Sequence, residues 1–175
     1  HASLCYAAAL LELQHVHDAM EHPTISAFLN TLQRKEVIPS VPPVPDTDLG
    51  DYWELIQARF ANPVILDTID RICFDGANRQ PKFIIPPVSD NLAAGRSVEG
   101  LALVSAMWCR YCQGKAESGK EFAPNDPIWA QLHETALQAA NDPTIWLNMK
   151  SIYGALGQNK VFVESFSQAL RKITD

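Results

Sequence analysis

Between Arg71 and Lys82 the chain reads Arg-Ile-Cys-Phe-Asp-Gly-Ala-Asn-Arg-Gln-Pro-Lys, which sets three cations, Arg71, Arg79 and Lys82, around an Asp75-Gly76 turn. Asp-Gly permits a sharp reversal of the backbone, and Pro81 marks where the next segment begins. Guanidinium and ammonium groups converging beside such a turn make a donor-rich corner, suited to a ligand built of hydroxyl or carboxylate oxygens. The same spacing also fits solvated charges at helix ends, and Lys82 is equally well placed to cap the helix that follows. Asp67, Asp70 and Asp75 cluster nearby and are candidates either for orienting the Arg71 guanidinium or for ordinary charge pairing.

Other reactive residue types carry weaker signals. His15-Val-His17-Asp18 has ligand-type side chains, but alternate residues on a helix point roughly 200° apart, so packing or capping is the expected role of both histidines. Cys109-Arg-Tyr-Cys112 has redox-motif spacing inside an apolar helical run with no strand before it, which favours a structural pair. Cys5, Cys73, Cys109 and Cys112 all lie in apolar surroundings, as expected of free thiols in a reducing compartment. Trp53, Trp108, Trp129 and Trp146 are spaced as core anchors within helices. No glycine-rich phosphate loop is present, and Gly154-Ala-Leu-Gly157 reads as a helix-ending turn.

The elements that must position these residues read as helix after helix. Ala2 to about Leu13 is rich in strong helix formers and is expected to continue toward Met20. Pro23 to about Val37 follows, then the stiff linker Pro39–Pro45, then a helix capped by Thr47 or Asp48 with Tyr52, Leu55, Ile56 and Phe60 inward. Asn62-Pro63, Asn125-Asp126-Pro127 and Asn141-Asp142-Pro143 each place an Asx residue before proline, a recurrent helix-start signal. The helix after Pro63 is expected to end near Phe74, and another to run from Phe83 to about Ala94. Ser97 then caps the most apolar segment, Val98 to about Cys112, expected to be the buried central helix with Leu101, Val104, Ser105 and Trp108 on one stripe. The last helices are expected over about Pro127–Ala140, Pro143–Tyr153 and Val161–Ile173, with no strand and no internal repeat.

With 175 residues, 47% of them hydrophobic and 19% charged, the chain is large enough for one domain with a real core. A net charge of −6 argues against nucleic acid or an anionic membrane as partner. No apolar run reaches membrane-spanning length, and a cytoplasmic location is expected. The chain starts without Met and without a signal peptide, so it is expected to be a fragment of a larger protein.

Several ordered stretches resemble the second domain of the long-chain polyol dehydrogenases, the mannitol 2-dehydrogenase group. They are His1-Ala-Ser-Leu-Cys-Tyr6, Val16–Met20, Asn62-Pro63 through Asp67-Thr68 and Arg71 to Asp75–Phe83, Ser97–Val104 with Trp108–Tyr111, Pro124–Pro127 and Ile152-Tyr-Gly154. The resemblance implies an all-α, multi-helical, bundle-like substrate domain of the 6-phosphogluconate-dehydrogenase C-terminal type over residues 1–175, with an N-terminal Rossmann domain outside the chain. It further implies hydride transfer between NAD or NADP and C2 of a sugar alcohol or ketose of the mannitol and fructose kind, without a metal. The cofactor would be held mainly by the Rossmann partner, so the isolated chain is expected to be inactive.

In that family a Lys, an Asn and a His are spaced K-x-x-x-x-N-x-x-H on the helix opening the second domain. The motif is matched here only by its last member, His1, which makes His1 the catalytic candidate and places the general-base Lys and the Asn upstream. A base for the hydroxyl proton and donors for the developing alkoxide are what alcohol oxidation requires. A terminal His is also a common tag residue. Arg71 and Arg79 carry over as contacts to substrate hydroxyls, with Lys82 less firmly placed. Arg79 stands where the family often has Lys. The rival readings are a hexuronate oxidoreductase of the fructuronate reductase type and a non-catalytic helical interaction domain.

Overall fold

The computed structural model describes residues 1–174, and among them the apolar periodicities resolve into twelve α-helices. In order these are α1 (Cys5–Leu10), α2 (Val16–Glu21), α3 (Pro23–Leu32), α4 (Leu49–Phe60), α5 (Ile69–Cys73) and α6 (Gly76–Phe83). They continue with α7 (Ile85–Ala93), α8 (Glu99–Cys112), α9 (Trp129–Ala139), α10 (Thr144–Leu147), α11 (Lys150–Tyr153) and α12 (Lys160–Thr174). A π-helical turn, Gln33–Val37, extends α3 and passes into a 3-10 turn, Ile38–Ser40. Extended pairing among the described residues is limited to two isolated bridges, His15–Thr68 and Lys115–Glu121. The expected all-helical architecture is therefore what the chain adopts. Among the described residues no helix is long and apolar enough to cross a membrane.

Helix α8 is the axis of the core. Leu101, Val104, Ser105 and Trp108, the expected stripe, are each no more than 1% exposed. The helix packs most extensively on α12, which offers Phe162, Phe166 and Leu170 at four-residue spacing, and on α1 and α9. Trp108 meets Trp146 edge-on at 4.8 Å, and the Trp146 indole donates to the Tyr153 hydroxyl at 2.8 Å. Trp53 is buried as well, while Trp129 is only partly covered.

Ser97 is not the main cap of α8. Its hydroxyl accepts only the Glu99 amide, at 3.3 Å. The first free amides of the helix, those of Gly100 and Leu101, are taken by the Glu36 carboxylate at 2.7 and 3.1 Å. That acid is 6% exposed, and burial raises its proton affinity more than the two amides and nearby charges alter it. Because the folded state holds this proton more tightly, stability is expected to fall as pH rises from the ordinary glutamate value of about 4.3 through the raised value. Thermal melts across that window should show a smaller decline in Glu36→Gln than in the natural chain. Equal slopes would place the titration elsewhere.

Several local expectations are corrected. Residues 2–20 are not one helix: Glu12 takes a left-handed conformation (φ 58°), and the chain opens over 11–15. The opening lets Val16 N–H reach the Asp67 carbonyl (3.0 Å) and Ile69 N–H the Gln14 carbonyl (2.9 Å), a tertiary pairing that outweighs local helix propensity. Asn62-Pro63 starts no helix. The Asn62 side chain accepts the Val64 amide in a local turn, and α5 begins only after Thr68, whose hydroxyl accepts the Arg71 amide. In α4, capped by Asp48, Trp53 turns inward, while Tyr52 and Leu55 are 53% and 56% exposed. Residues 76–83 form α6 with Pro81 inside it, so the helix expected from Phe83 begins separately at Ile85, with Pro86 and Pro87 in its first turn. The Pro143–Tyr153 helix divides in two around Asn148 and Met149.

Candidate substrate cleft

The tertiary pairing between residues 14–16 and 67–69 places the start of the chain beside α5. His1 lies just before α1, and its carbonyl accepts the amides of Leu4 and Cys5, both at 3.2 Å. Its ring stacks on Phe60 of α4, with centroids 4.5 Å apart and planes within 2° of parallel. Nε2 then faces Asp67 Oδ2 at 3.7 Å.

Asp67 is also the partner of Arg71. Nε and Nη2 of Arg71 donate to the two carboxylate oxygens, each at 2.6 Å. This fork, four residues apart in sequence, holds the Asp67 carboxyl below the usual carboxylate range despite partial desolvation, and raises Arg71 in turn. Asp70 and Asp75 do not share the task. Asp75 accepts the Asn78 side-chain amide, and the Asp70 carbonyl accepts that of Asn125.

The turn after Arg71 has its left-handed residue at Asp75 (φ 61°) and not at the glycine. That is a costly conformation for a non-glycine residue, by roughly 1–2 kcal/mol. It is held by the Asn125 carbonyl on the Asp75 amide and by the Asp126 carboxylate on the Ala77 amide, which caps α6 from a distant segment. Gly76 is needed for a different reason, since a Cβ there would overlap Trp108 Nε1 and Tyr6 Oη, both fixed in the core. Gly76→Ala is expected to cost about 1–3 kcal/mol by overpacking. A melting temperature unchanged by this substitution would mean that the Trp108 ring can move aside.

Helix α6 then carries Arg79 and Lys82 back over α5. Nη1 of Arg79 donates to the Ile72 carbonyl at 2.9 Å, which leaves Nη2 without a partner among the described residues. Lys82 is exposed, with Nζ 5.4 Å from the centroid of the Phe83 ring. The outcome is one cleft, of about 640 Å³, with His1, Gln33, Arg71, Asn78, Arg79 and Lys82 on its polar walls and Val37, Ile84 and Leu101 among its apolar ones. All four residues singled out in the sequence thus line the same space, although His1 is remote in the chain from the rest. Sequence reasoning missed Gln33, Asn78 and the Phe60 platform. Gln33 has no local signal, because its place on the wall depends on the π-helical turn.

The histidine pair departs from expectation. His15 precedes α2 in an extended conformation (φ −124°, ψ 160°), so helical phase does not separate it from His17. The two rings stack at 5.3 Å, and ligand-type atoms of His15, His17 and Asp18 lie within 4.8 Å of one another. Asp18 accepts the His15 amide at 2.9 Å, so capping is one role of this group. Cys109 and Cys112 are buried and unbridged, with burial pushing both thiols up and away from reactivity.

Comparison with known proteins gives a consistent result. The family model for the mannitol dehydrogenase C-terminal domain matches residues 1–174. A mannitol 2-dehydrogenase of Cereibacter sphaeroides is 50% identical over 173 residues, covering 99% of this chain and 36% of that protein. One from Aspergillus terreus is 32% identical over 174 residues, with 99% and 35% covered. Among solved structures, the Pseudomonas fluorescens mannitol 2-dehydrogenase in ternary complex with NAD and D-mannitol superposes with a TM-score of 0.95 at 31% identity, covering 100% of this chain and 36% of that one. The chain therefore spans little more than a third of the length of these relatives.

Proposed function

Since the chain belongs to the mannitol dehydrogenase C-terminal domain family, we propose that it is the substrate-binding and catalytic half of an NAD(P)-dependent polyol dehydrogenase. The reaction would interconvert a sugar alcohol and a ketose of the mannitol and fructose type, and a Rossmann domain elsewhere in the protein would hold most of the cofactor. In this reading His1 hydrogen-bonds a hydroxyl beside the reacting carbon, steadied by Phe60 and Asp67. Arg71 and Arg79 donate to hydroxyls further along the polyol, and Lys82 borders the same chain. A bound nicotinamide would accept the hydride from C2. The described residues include no glycine-rich strand–turn–helix to cradle its phosphates, so what they offer the cofactor is the space beside His1.

The observation that carries the polyol reading is the two-pronged Arg71–Asp67 pair. With the guanidinium charge already met, Arg71 has N–H groups left for neutral hydroxyls, and a carboxylate ligand would have to compete with Asp67. A hexuronate substrate finds support in Arg79 and Lys82, which have no carboxylate partner among the described residues. Steady-state assays of the full-length protein decide between them. A higher kcat/KM for a hexitol than for the matching hexuronate is expected, and the reverse order would replace this reading with the uronate one.

A further inference from the structure

We propose that Gln33 is a specificity-determining contact of this cleft, its side-chain amide reading ligand hydroxyls remote from the reacting carbon. The inference rests on the polyol reading above. Gln33 is half-buried on the cleft wall, and its amide has no hydrogen-bond partner among the described residues. The need for it is a matter of acceptors. Every hydroxyl of a polyol brings a proton to donate, whereas Arg71, Arg79 and Lys82 can only donate. The carboxylate that lines the cleft, Asp75, accepts the Asn78 side-chain amide, and Asp67, outside the lining, is paired with Arg71. The Oε1 of Gln33, the Oδ1 of Asn78 and the Ser3 hydroxyl remain as side-chain acceptors without a partner among the described residues, and of the two amides Asn78 is exposed while Gln33 is half-buried.

The backbone beneath Gln33 is built to hold it. Its π-helical turn is a rare, widened geometry that tends to occur at functional sites. Three polar side chains fix it to the core: Glu36 on the first amides of α8, Asn91 Nδ2 on the Glu36 carbonyl at 2.9 Å, and Arg96 Nε on Asn91 Oδ1 at 2.8 Å. Glu36 and Asn91 are 6% and 0% exposed, and burying such groups is costly unless they are well paired. Through Leu101, a buried residue at the cleft wall whose amide Glu36 holds, the turn is registered against the walls that carry Arg71 and Arg79.

The test uses the full-length protein and compares a hexitol with a tetritol too short to reach a remote contact. Gln33→Leu removes both hydrogen-bonding atoms and leaves an apolar side chain one atom shorter. It is expected to lower kcat/KM for the hexitol roughly tenfold, the scale of one lost hydrogen bond, and for the tetritol by less than about twofold. The preference for chain length then collapses while the melting temperature stays put. Equal losses on both polyols, or no loss on either, would overturn the assignment. If Gln33→Leu does not fold, Gln33→Asn, which draws the amide back by one methylene, is judged by the same ratio. A natural protein that oxidises no polyol at all defeats the functional reading itself, and that failure is visible before any variant is made.

Discussion

Arg71→Ala in the intact protein is expected to lower kcat/KM for polyol oxidation by about two orders of magnitude, with the KM for the nicotinamide cofactor nearly unchanged. Two losses combine. A hydrogen bond from a charged donor is worth about 1.5–3 kcal/mol when its partner is held in place. In addition, the Asp67 carboxylate loses the fork that neutralises it while remaining 3.7 Å from His1 Nε2, where it competes with substrate for the imidazole. Arg79→Ala, which also frees the Ile72 carbonyl, is expected to act in the same direction, and the two together should cost a few kcal/mol. Both changes should appear in kcat as well as KM, because contacts remote from the reacting carbon also orient it. A rise confined to the cofactor KM would remove these residues from the substrate site.

The largest expected effect on stability is that of Leu101→Ala, about 2–5 kcal/mol from the cavity left in a close-packed core. Leu101 is 0% exposed on the most buried helix, and its neighbours on that stripe, Val104, Ser105 and Trp108, are held by α12 and by the Trp146 ring, leaving little freedom to collapse into the gap. Denaturant unfolding should show a lower midpoint with an unchanged slope. The side chain is fully buried, so activity of the folded variant should fall by less than in the arginine variants. A loss below about 1 kcal/mol would mean that the site refills, against the packing described.

Where helices were legible in the sequence, the reason is continuity of burial. Residues 98–112 and 160–174 carry an unbroken helical stripe, and α8 and α12 appear within a residue or so of expectation. The failures are positions where tertiary contacts outweigh local chemistry. Asn62-Pro63 and Asn141-Asp142-Pro143 make the same local Asx turn, with the side-chain oxygen on the amide two residues on. Only the second leads into a helix, because the stretch after the first is drawn out to Asp67, whose carbonyl Val16 engages. The break at Glu12 has the same origin. In the site, the clustering of Arg71, Arg79 and Lys82 was visible in the residues themselves, whereas His1 emerged only through family resemblance. Gln33 was invisible, since nothing local marks the π-helical turn that places it; the turn's own Glu36 is secured by the Gly100 amide of α8 and by Asn91 of α7, both far along the chain.

The central claim is that His1, Arg71 and Arg79 grip one polyol together, and a crystal structure of the full-length protein with nicotinamide cofactor and a hexitol tests it most directly. The expected result is a hexitol lying along the cleft, with hydroxyl oxygens within about 3.2 Å of His1 Nε2 and of the free guanidinium nitrogens of Arg71 and Arg79. A hexitol bound elsewhere, or one in this cleft touching none of the three, would contradict it.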